Sequence, residues 1–143
     1  MNKISNILFR KGSRAISVLP DTSVLDALKV MAENNIGSVV VMQDKKFLGI
    51  ITERDYSRKV VLKGKNSTNT KVSEIMTSDF PDLKPDDTVE HCMELLSDNN
   101  IRYLPVFEKK ELKGIISISD VVSETIISQQ QTIAHLDSYI NSK

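Results

Sequence analysis

Two short stretches of the chain contain residue types that suit nucleotide binding. Residues 49–55 begin with glycine, continue through two isoleucines to Thr52 and end at Asp55. The same order returns 65 residues later and ends in Ser117 and Asp120. An ionised aspartate only accepts hydrogen bonds, which suits the two hydroxyls of a ribose. We therefore interpret the two stretches as a pair of ribose-binding motifs.

The position of each hydroxyl residue suggests a second contact with a nucleotide. Thr52 and Ser117 each lie where a predicted strand ends and a predicted helix begins, and such a helix start offers free backbone N–H groups to a phosphate. Gly49 and Gly114 would let the ligand approach the backbone closely. A hydroxyl residue followed three positions later by a carboxylate is also typical of a helix capping box, which needs no ligand. Both interpretations are open, and one hydroxyl could serve both roles.

The two motifs belong to a longer internal repeat. Residues 21–55 align without a gap on residues 86–120, with 11 identities in 35 positions, where chance would give about two. The identical pairs include Asp21 with Asp86, Asn34 with Asn99, and Gly49 with Gly114. The chain therefore carries two copies of one structural unit, which we place at residues 1–70 and 71–143.

Each copy is predicted to fold as β-α-β-β-α. In the first copy a short strand at residues 15–19 precedes a helix from Val24, a hairpin of strands at 38–42 and 47–52, and a basic helix at 53–63. In the second copy the elements are a strand near residues 80–84, a helix from Thr88, strands at 103–107 and 112–117, and a last helix towards Ile140. Residues 1–12 form an amphipathic lead-in, with Ile4, Ile7 and Leu8 at helical spacing.

These motifs and their order resemble a tandem pair of cystathionine-β-synthase (CBS) domains, a Bateman module. The family signature is a glycine, two apolar residues, a serine or threonine, two variable residues and an aspartate, and both copies match it in full. Small stand-alone CBS-pair proteins also share the stretches at residues 52–56 and 75–77. The resemblance implies an α+β fold of two β-α-β-β-α repeats packed sheet to sheet with pseudo-two-fold symmetry. It also implies an adenine nucleotide (AMP, ADP or ATP), or NAD(H), bound as a regulatory ligand in clefts between the repeats.

The resemblance and the local chemistry together suggest a set of ligand-binding residues. Thr52, Asp55, Ser117 and Asp120 come from the motifs themselves. Basic residues follow the first motif and not the second, so the first is expected to prefer the more heavily phosphorylated ligand or a dinucleotide, although a solvated helix face would look the same. The remaining candidates flank the motifs or lie on the predicted leading and middle strands: Arg54, Arg58, Lys59, Arg102, Tyr103, Pro105, Ala15, Ile16, Ser17, Phe80 and Pro81. Phe80 would serve equally well as a plain core aromatic residue.

Composition excludes several other classes of protein. The formal net charge is zero, so no global field attracts nucleic acid or an anionic membrane. The single cysteine, Cys92, cannot form an internal disulfide and suits a reducing compartment. No secretory signal or membrane-spanning run is recognisable. We expect a cytoplasmic protein, with an organellar matrix as the other possible location. His91 and His135 are far apart in the sequence, so we expect no metal site.

The predicted function is regulatory. The chain is expected to sense energy or redox state through an adenine nucleotide and to modulate an unidentified partner protein. The alternative is an interaction or dimerisation module with vestigial nucleotide clefts. Catalysis is not expected, because no nucleophile lies beside a base in the sequence pattern. A stripe with 3-4-3-4 spacing on the last helix, Ile126, Gln129, Ile133, Leu136 and Ile140, would either pack on its own domain or pair with another chain, and we expect a homodimer.

Overall fold

The computed structural model describes residues 2–12 and 15–141, which form two compact units. The first-repeat unit comprises residues 15–80, and the second-repeat unit comprises residues 2–12 with 81–141. In chain order the elements are α1 (Ile4–Lys11), β1 (Ser17–Val18), α2 (Val24–Asn34), β2 (Ser38–Gln43), β3 (Lys46–Thr52), α3 (Glu53–Asp55), a π-helical turn (Tyr56–Val61), α4 (Val72–Ile75), α5 (Val89–Asp98), β4 (Tyr103–Glu108), β5 (Glu111–Ser117) and α6 (Ile118–Asn141). The α+β class with two repeats is confirmed; the boundary at residues 70 and 71 stays a prediction.

Each unit contains the predicted antiparallel hairpin. β2 pairs with β3 and β4 pairs with β5 in the same register, with a bulge after Val41 in one and after Val106 in the other. The two turn residues of each hairpin have positive φ, at 53° and 65° for Asp44 and Lys45. Such turns match the right-handed twist of the flanking strands. The hairpins end at Thr52 and Ser117, so each motif covers the end of the second hairpin strand and the start of the helix that follows it.

The helices that precede the hairpins form as their spacing predicts. Ser23 Oγ accepts a hydrogen bond of 3.1 Å from the Asp26 N–H at the start of α2, and Thr88 Oγ1 accepts one of 3.1 Å from the His91 N–H at the start of α5. The buried faces of these helices carry Val24, Ala27 and Met31 in one and Val89, Cys92 and Leu96 in the other. Met93, four residues after Val89 on the same helix, is 45% exposed, so it lies outside this buried face. Burial raises the pKa of the Cys92 thiol to about 11, with smaller effects from Asp120 and Asp87, so this thiol is neutral near pH 7.

The predicted strand near residues 80–84 is wrong. In the first-repeat unit, β1 runs parallel to β2 and the Val40 N–H donates to the Ile16 carbonyl at 3.0 Å. Pro105 occupies the position equivalent to Val40 and has no N–H, so the matching bond cannot form. A backbone hydrogen bond of 3.0 Å from the Phe107 N–H to the Leu83 carbonyl remains. The second sheet therefore has two strands where the first has three.

The predicted basic helix at residues 53–63 begins where expected but changes its winding. Three α-helical residues lead into the π-helical turn, where the Leu62 N–H donates to the Ser57 carbonyl five residues earlier at 3.0 Å. Val60 is 1% exposed and fixes this turn to the core of the unit. Lys59 lies one turn beyond Asp55, so its side chain is on the same side of the helical segment and contacts the Asp55 carboxylate.

Two short helices, α1 and α4, dock in the same way on different units. Both begin with a lysine, a branched apolar residue and a serine, at residues 3–5 and 71–73. The segment before the first repeat docks on the second-repeat unit, and the segment before the second repeat docks on the first-repeat unit. The equivalent backbone hydrogen bonds are Ile4 N to Asp87 O and Ser5 N to Pro85 O, both 2.9 Å, and Val72 N to Thr22 O at 2.9 Å and Ser73 N to Pro20 O at 3.2 Å.

The last helix does not pack back onto its own unit over its full length. Val121 and Glu124 in its first turns are 2% exposed. Beyond them the predicted stripe is open to solvent, with Ile133 61% and Leu136 53% exposed. Of the two alternatives for this stripe, packing on its own domain is therefore wrong.

Candidate functional site

The first motif is a closed capping box. The Asp55 N–H donates to Thr52 Oγ1 at 3.0 Å, while Asp55 Oδ2 accepts from the Thr52 N–H at 2.9 Å and from the Thr52 hydroxyl at 3.0 Å. The capping interpretation is therefore confirmed. The box holds the Asp55 carboxylate, 13% exposed, in one orientation at the start of α3.

The Lys59 ammonium ion pairs with the carboxylate of the first motif. Lys59 Nζ lies 3.1 Å from Asp55 Oδ1 and donates to the Ile75 carbonyl at 2.8 Å. It is also 3.5 Å from Thr77 Oγ1. The ammonium thus joins the motif to the end of α4, and a positive charge lies beside the predicted ribose acceptor.

The second motif repeats the box with a serine. The Asp120 N–H donates to Ser117 Oγ at 3.1 Å, and the Ser117 N–H donates to Asp120 Oδ2 at 2.9 Å. Its ammonium partner comes from a distant part of the chain. Lys11, at the end of α1, places Nζ 2.6 Å from Asp120 Oδ2 and 2.9 Å from the Ile115 carbonyl. Each motif aspartate therefore has an ammonium that also binds a main-chain carbonyl.

A reversal of charge in the second repeat explains why its ammonium comes from α1. Glu124 occupies the position that corresponds to Lys59, one helical turn after the motif aspartate. Two carboxylates at this spacing repel one another. The glutamate side chain is 3% exposed and is paired with Arg10 at 3.1 Å, and Asn2 Nδ2 donates to it at 3.3 Å. α1 thus supplies one cation to each carboxylate.

The helix starts offer a phosphate fewer N–H groups than expected. The Glu53 N–H donates to the Gly37 carbonyl at 3.1 Å, and the equivalent Ile118 N–H donates to the Arg102 carbonyl at 3.0 Å. The N–H of each motif aspartate bonds its own hydroxyl residue. Two of the first three N–H groups in each motif are therefore already used.

Gly49 is required for packing against the chain itself. A Cβ at this position would lie 2.7 Å from the Thr77 carbonyl oxygen and 2.9 Å from Met76 Sδ. Thr77 pairs with Ile50 through two backbone hydrogen bonds of 2.9 and 3.0 Å. The close neighbour of this glycine is the segment after α4, and the approach of a ligand to Gly49 stays a prediction.

The other candidates in the first-repeat unit fall in different surroundings. Phe80 contacts Phe47 edge to face, with ring centroids 6.4 Å apart, which is the arrangement of a packed aromatic pair. Arg54 is half-buried beside the motif and Arg58 is exposed. The leading strand supplies the rest: Ala15 and Ile16 are half-buried, and Ser17 is exposed opposite Val40.

The candidates in the second-repeat unit gather around the hairpin. Tyr103 opens β4 directly opposite Ser117, the hydroxyl residue of the motif. Arg102 precedes it, and its carbonyl holds the first N–H of α6. Pro105 is buried opposite Ile115, and Pro81 is half-buried in the segment that forms no strand. The structure therefore brings Arg102 and Tyr103 next to the second motif and leaves Pro105 in the core.

Arg10 and Lys11 were missed as site residues in the sequence. Two patterns could have revealed them. One is the echo of residues 3–5 at residues 71–73, which shows that α1 has a counterpart docked in the other unit. The other is the change from Lys59 to Glu124 between the repeats, which leaves the second motif without a local cation.

A cavity of about 180 Å³ lies beside these contacts, lined by Ile7, Arg10, Lys11, Asp120, Ser123, Glu124 and Ile127. Within residues 2–12 and 15–141 there is no cluster of three or more metal-ligating side chains. Over the same part of the chain, no helix has the length and apolar character that a membrane span requires.

Comparison with known proteins finds the same domain in both repeats. The family model of the CBS domain matches residues 10–61 and 72–126. A mitochondrial CBS domain-containing protein of Arabidopsis thaliana is 36% identical over 146 residues, covering 96% of this chain and 71% of the relative.

Solved structures give the same result. A CBS-domain protein of Burkholderia ambifaria, provisionally assigned to signal transduction, superposes with a TM-score of 0.85 at 38% identity, covering 90% of this chain and 96% of that one. A hexameric CBS-CP12 protein from bloom-forming cyanobacteria superposes at 0.73 with 29% identity, covering 84% of this chain and 66% of that one.

Proposed function

Because the chain belongs to the CBS-domain family and carries two tandem copies of that domain, we propose that it is a regulatory module that binds an adenine nucleotide. The ligand would be AMP, ADP, ATP or NAD(H), and binding would report energy or redox state to a partner protein. One observation carries the proposal: both repeats hold an aspartate carboxylate rigidly at the same turn beside an ammonium ion. The carboxylate accepts from ribose hydroxyls, and cations beside it stabilise a phosphate.

The two motifs are proposed to differ in ligand preference. Arg54, Arg58 and Lys59 follow the first motif on its own helix. In the second repeat Glu124 stands in place of Lys59, and the nearby cations, Arg10 and Lys11, come from α1. The first motif is therefore the better site for a ligand with more phosphates, and the second for one with fewer. Binding would shift the population of states that the partner recognises, since a ligand favours the state that it binds more tightly.

A thermal-shift screen of the full chain with AMP, ADP, ATP and NADH tests this function. We expect at least one ligand to raise the melting temperature. Asp55→Asn and Asp120→Asn should each weaken binding at their own motif roughly tenfold or more, because a hydrogen bond to a charged group contributes about 1.5–3 kcal/mol.

Glu74→Gln is the matched control for these variants. The Glu74 side chain also closes a box, accepting from the Lys71 N–H at 2.7 Å, and it lies outside the motifs. Its removal should lower stability and leave ligand affinity unchanged. If no ligand stabilises the wild-type chain, or if the double aspartate variant binds as tightly as wild type, the nucleotide function is wrong.

We propose a regulatory and not a catalytic role, with a reducing compartment, cytoplasmic or an organellar matrix, as its location. The name of the Arabidopsis relative places that protein in mitochondria. Release of phosphate from ATP that Asp55→Asn abolishes would contradict the non-catalytic role.

A second candidate function, protein interaction, is favoured by the open stripe on α6. Ile126, Ile133 and Ile140 recur every seven residues with Leu136 between them, and they are 48–64% exposed. The stripe would form the seam of a coiled coil, which is the row of apolar residues that contacts the other helix. Isoleucine at one of the two apolar positions of each seven-residue repeat and leucine at the other favour a two-stranded coil. A second copy of this chain would cover the stripe with identical residues, so we propose a homodimer.

Light scattering after gel filtration tests the homodimer. The wild-type chain should have twice the monomer mass at micromolar concentration, and Ile133→Lys with Leu136→Lys should dissociate it, because two lysines would face two more across the seam. Gln131→Lys, on the same helix outside the seam, should leave the mass unchanged. A wild-type monomer, or a lysine variant that keeps twice the monomer mass, would rule out this seam.

A further inference from the structure

We propose that α1 is an intramolecular competitor at the second motif: the Lys11 ammonium occupies Asp120, and a ribose must displace it. This inference rests on the proposed function, because it concerns the affinity of the same motif. If it is correct, nucleotide binding at the second motif loosens the end of α1, and the helix reports the ligand.

The contact is direct and uses one of the two carboxylate oxygens that a ribose diol would need if each of its hydroxyls donates to one oxygen. Lys11 Nζ is 2.6 Å from Asp120 Oδ2, and the same oxygen accepts from the Ser117 N–H at 2.9 Å. A carboxylate oxygen has two lone pairs in its plane, so these two donors fill it. A ribose hydroxyl that approaches Oδ2 has to replace one donor, and the ammonium on a flexible side chain moves more easily than the backbone N–H.

The attachment of α1 limits the movement to its last turn. At its start, the Ile4 and Ser5 N–H groups bond the Asp87 and Pro85 carbonyls at 2.9 Å. At its end, the ion pairs with the motif helix run through the Lys11 and Arg10 side chains. The cavity of about 180 Å³ next to Lys11 offers room for a displaced side chain. Ligand entry therefore requires a local rearrangement, and α1 as a whole stays docked.

The segment that docks beside the first motif, α4 and the residues after it, is held in a different way. There the ammonium belongs to Lys59, one turn from Asp55 on the same helical segment. The segment after α4 is held by the paired backbone bonds between Thr77 and Ile50. In the second-repeat unit the Ile115 carbonyl, equivalent to that of Ile50, accepts from the Lys11 ammonium. The paired backbone bonds would keep the segment after α4 in place if Lys59 left Asp55, so we expect the stronger coupling between ligand and docked helix at the second motif.

Titration calorimetry with adenosine and AMP tests the competition, using the full chain with Asp55→Asn to silence the first motif. Adenosine has the ribose diol and no phosphate, so it isolates the competition at Asp120. Lys11→Met keeps an unbranched side chain that is one heavy atom shorter, and it removes the charge. It should tighten adenosine binding about twofold to fivefold, the effect expected when a partly exposed ion pair with the acceptor is removed.

Lys3→Met is the matched control. Lys3 lies at the start of the same docked segment and pairs with exposed Asp86 at 3.2 Å. Its removal should leave adenosine affinity unchanged. Adenosine affinity that is unchanged or weaker in Lys11→Met overturns the proposal, as does weaker AMP binding with unchanged adenosine binding, which would make Lys11 a phosphate contact.

Two further results separate this inference from the proposed function. If Lys11→Met with Asp120→Asn still binds adenosine as tightly as Lys11→Met alone, Asp120 is not the ribose acceptor and both proposals are wrong for this motif. If the wild-type chain binds AMP through Asp55 and the Lys11 variant changes nothing, the competition alone is wrong. Amide exchange in residues 8–11 should accelerate when adenosine binds the chain with Lys11 intact; unchanged exchange contradicts the coupling.

Discussion

Replacing Gly49 by alanine is expected to lower the free energy of unfolding by about 3 kcal/mol, at the upper end of the cost of overpacking. The added Cβ would meet the Thr77 carbonyl oxygen at 2.7 Å and Met76 Sδ at 2.9 Å. The methionine side chain can move, but the carbonyl is backbone and is fixed by its hydrogen bond to the Ile50 N–H at 2.9 Å. Relief of the clash therefore requires the two paired segments to separate.

Gly64→Ala is the control for this prediction, with stability measured by urea unfolding. A Cβ at Gly64 meets nothing within 4 Å, but φ is +68°, so alanine there should lower the free energy of unfolding by only about 1–2 kcal/mol, the cost of the left-handed conformation. Equal losses at the two positions would show that the contact at Gly49 adjusts freely. The comparison also tests whether this glycine of the motif is needed for packing before any ligand is present.

Replacing Leu83 by alanine is expected to lower the free energy of unfolding by about 3 kcal/mol, which is within the range for truncation of a buried leucine. Leu83 belongs to no strand, yet it is fully buried in the second-repeat unit and its carbonyl accepts from the Phe107 N–H. Truncation leaves a cavity in a core that already lacks a third strand. The loss should appear in urea unfolding of the full chain.

Leu62→Ala serves as the matched control for Leu83, because Leu62 is 76% exposed. Truncation of an exposed side chain of this kind is expected to change the free energy of unfolding by no more than about 0.5 kcal/mol. A decrease in the free energy of unfolding of less than about 1 kcal/mol for Leu83→Ala would mean that hydrophobic burial does not hold the segment. Truncation of a fully buried leucine to alanine normally lowers stability by more than that. In that case the bond to Phe107 would be its main attachment.

Much of the fold follows from periodicity and repetition. The hairpins, the helices capped by Ser23 and Thr88, and the lead-in helix with buried Ile4 and Ile7 all follow patterns of apolar spacing and turn residues. These patterns are local, and local preference and burial agree at each of them. The prediction failed at residues 80–84 because the repeat implied a strand there, while Pro105 removes the N–H that the equivalent strand uses.

The candidate site was predictable only in part. Thr52, Asp55, Ser117 and Asp120 were identified from the repeat, and the structure forms both boxes. Whether they also hold a ribose stays a prediction. Phe80 packs against Phe47, which the sequence offered as one of two roles. The stripe on α6 was predicted either to pack on its own domain or to pair with another chain, and its exposure to solvent excludes packing on its own domain.

The sequence by itself determined that there are two equivalent turns, each with a carboxylate at a fixed place, because an internal repeat and a short spacing are local properties. Only the tertiary structure decided what meets those carboxylates. Lys59 reaches Asp55 from one helical turn away, whereas Lys11 reaches Asp120 across 109 residues of sequence. Buried Glu124 and half-buried Asp120 require cations, and the docked α1 supplies them. Charge balance in a folded interior depends on which segments meet, and spacing along the chain does not encode that.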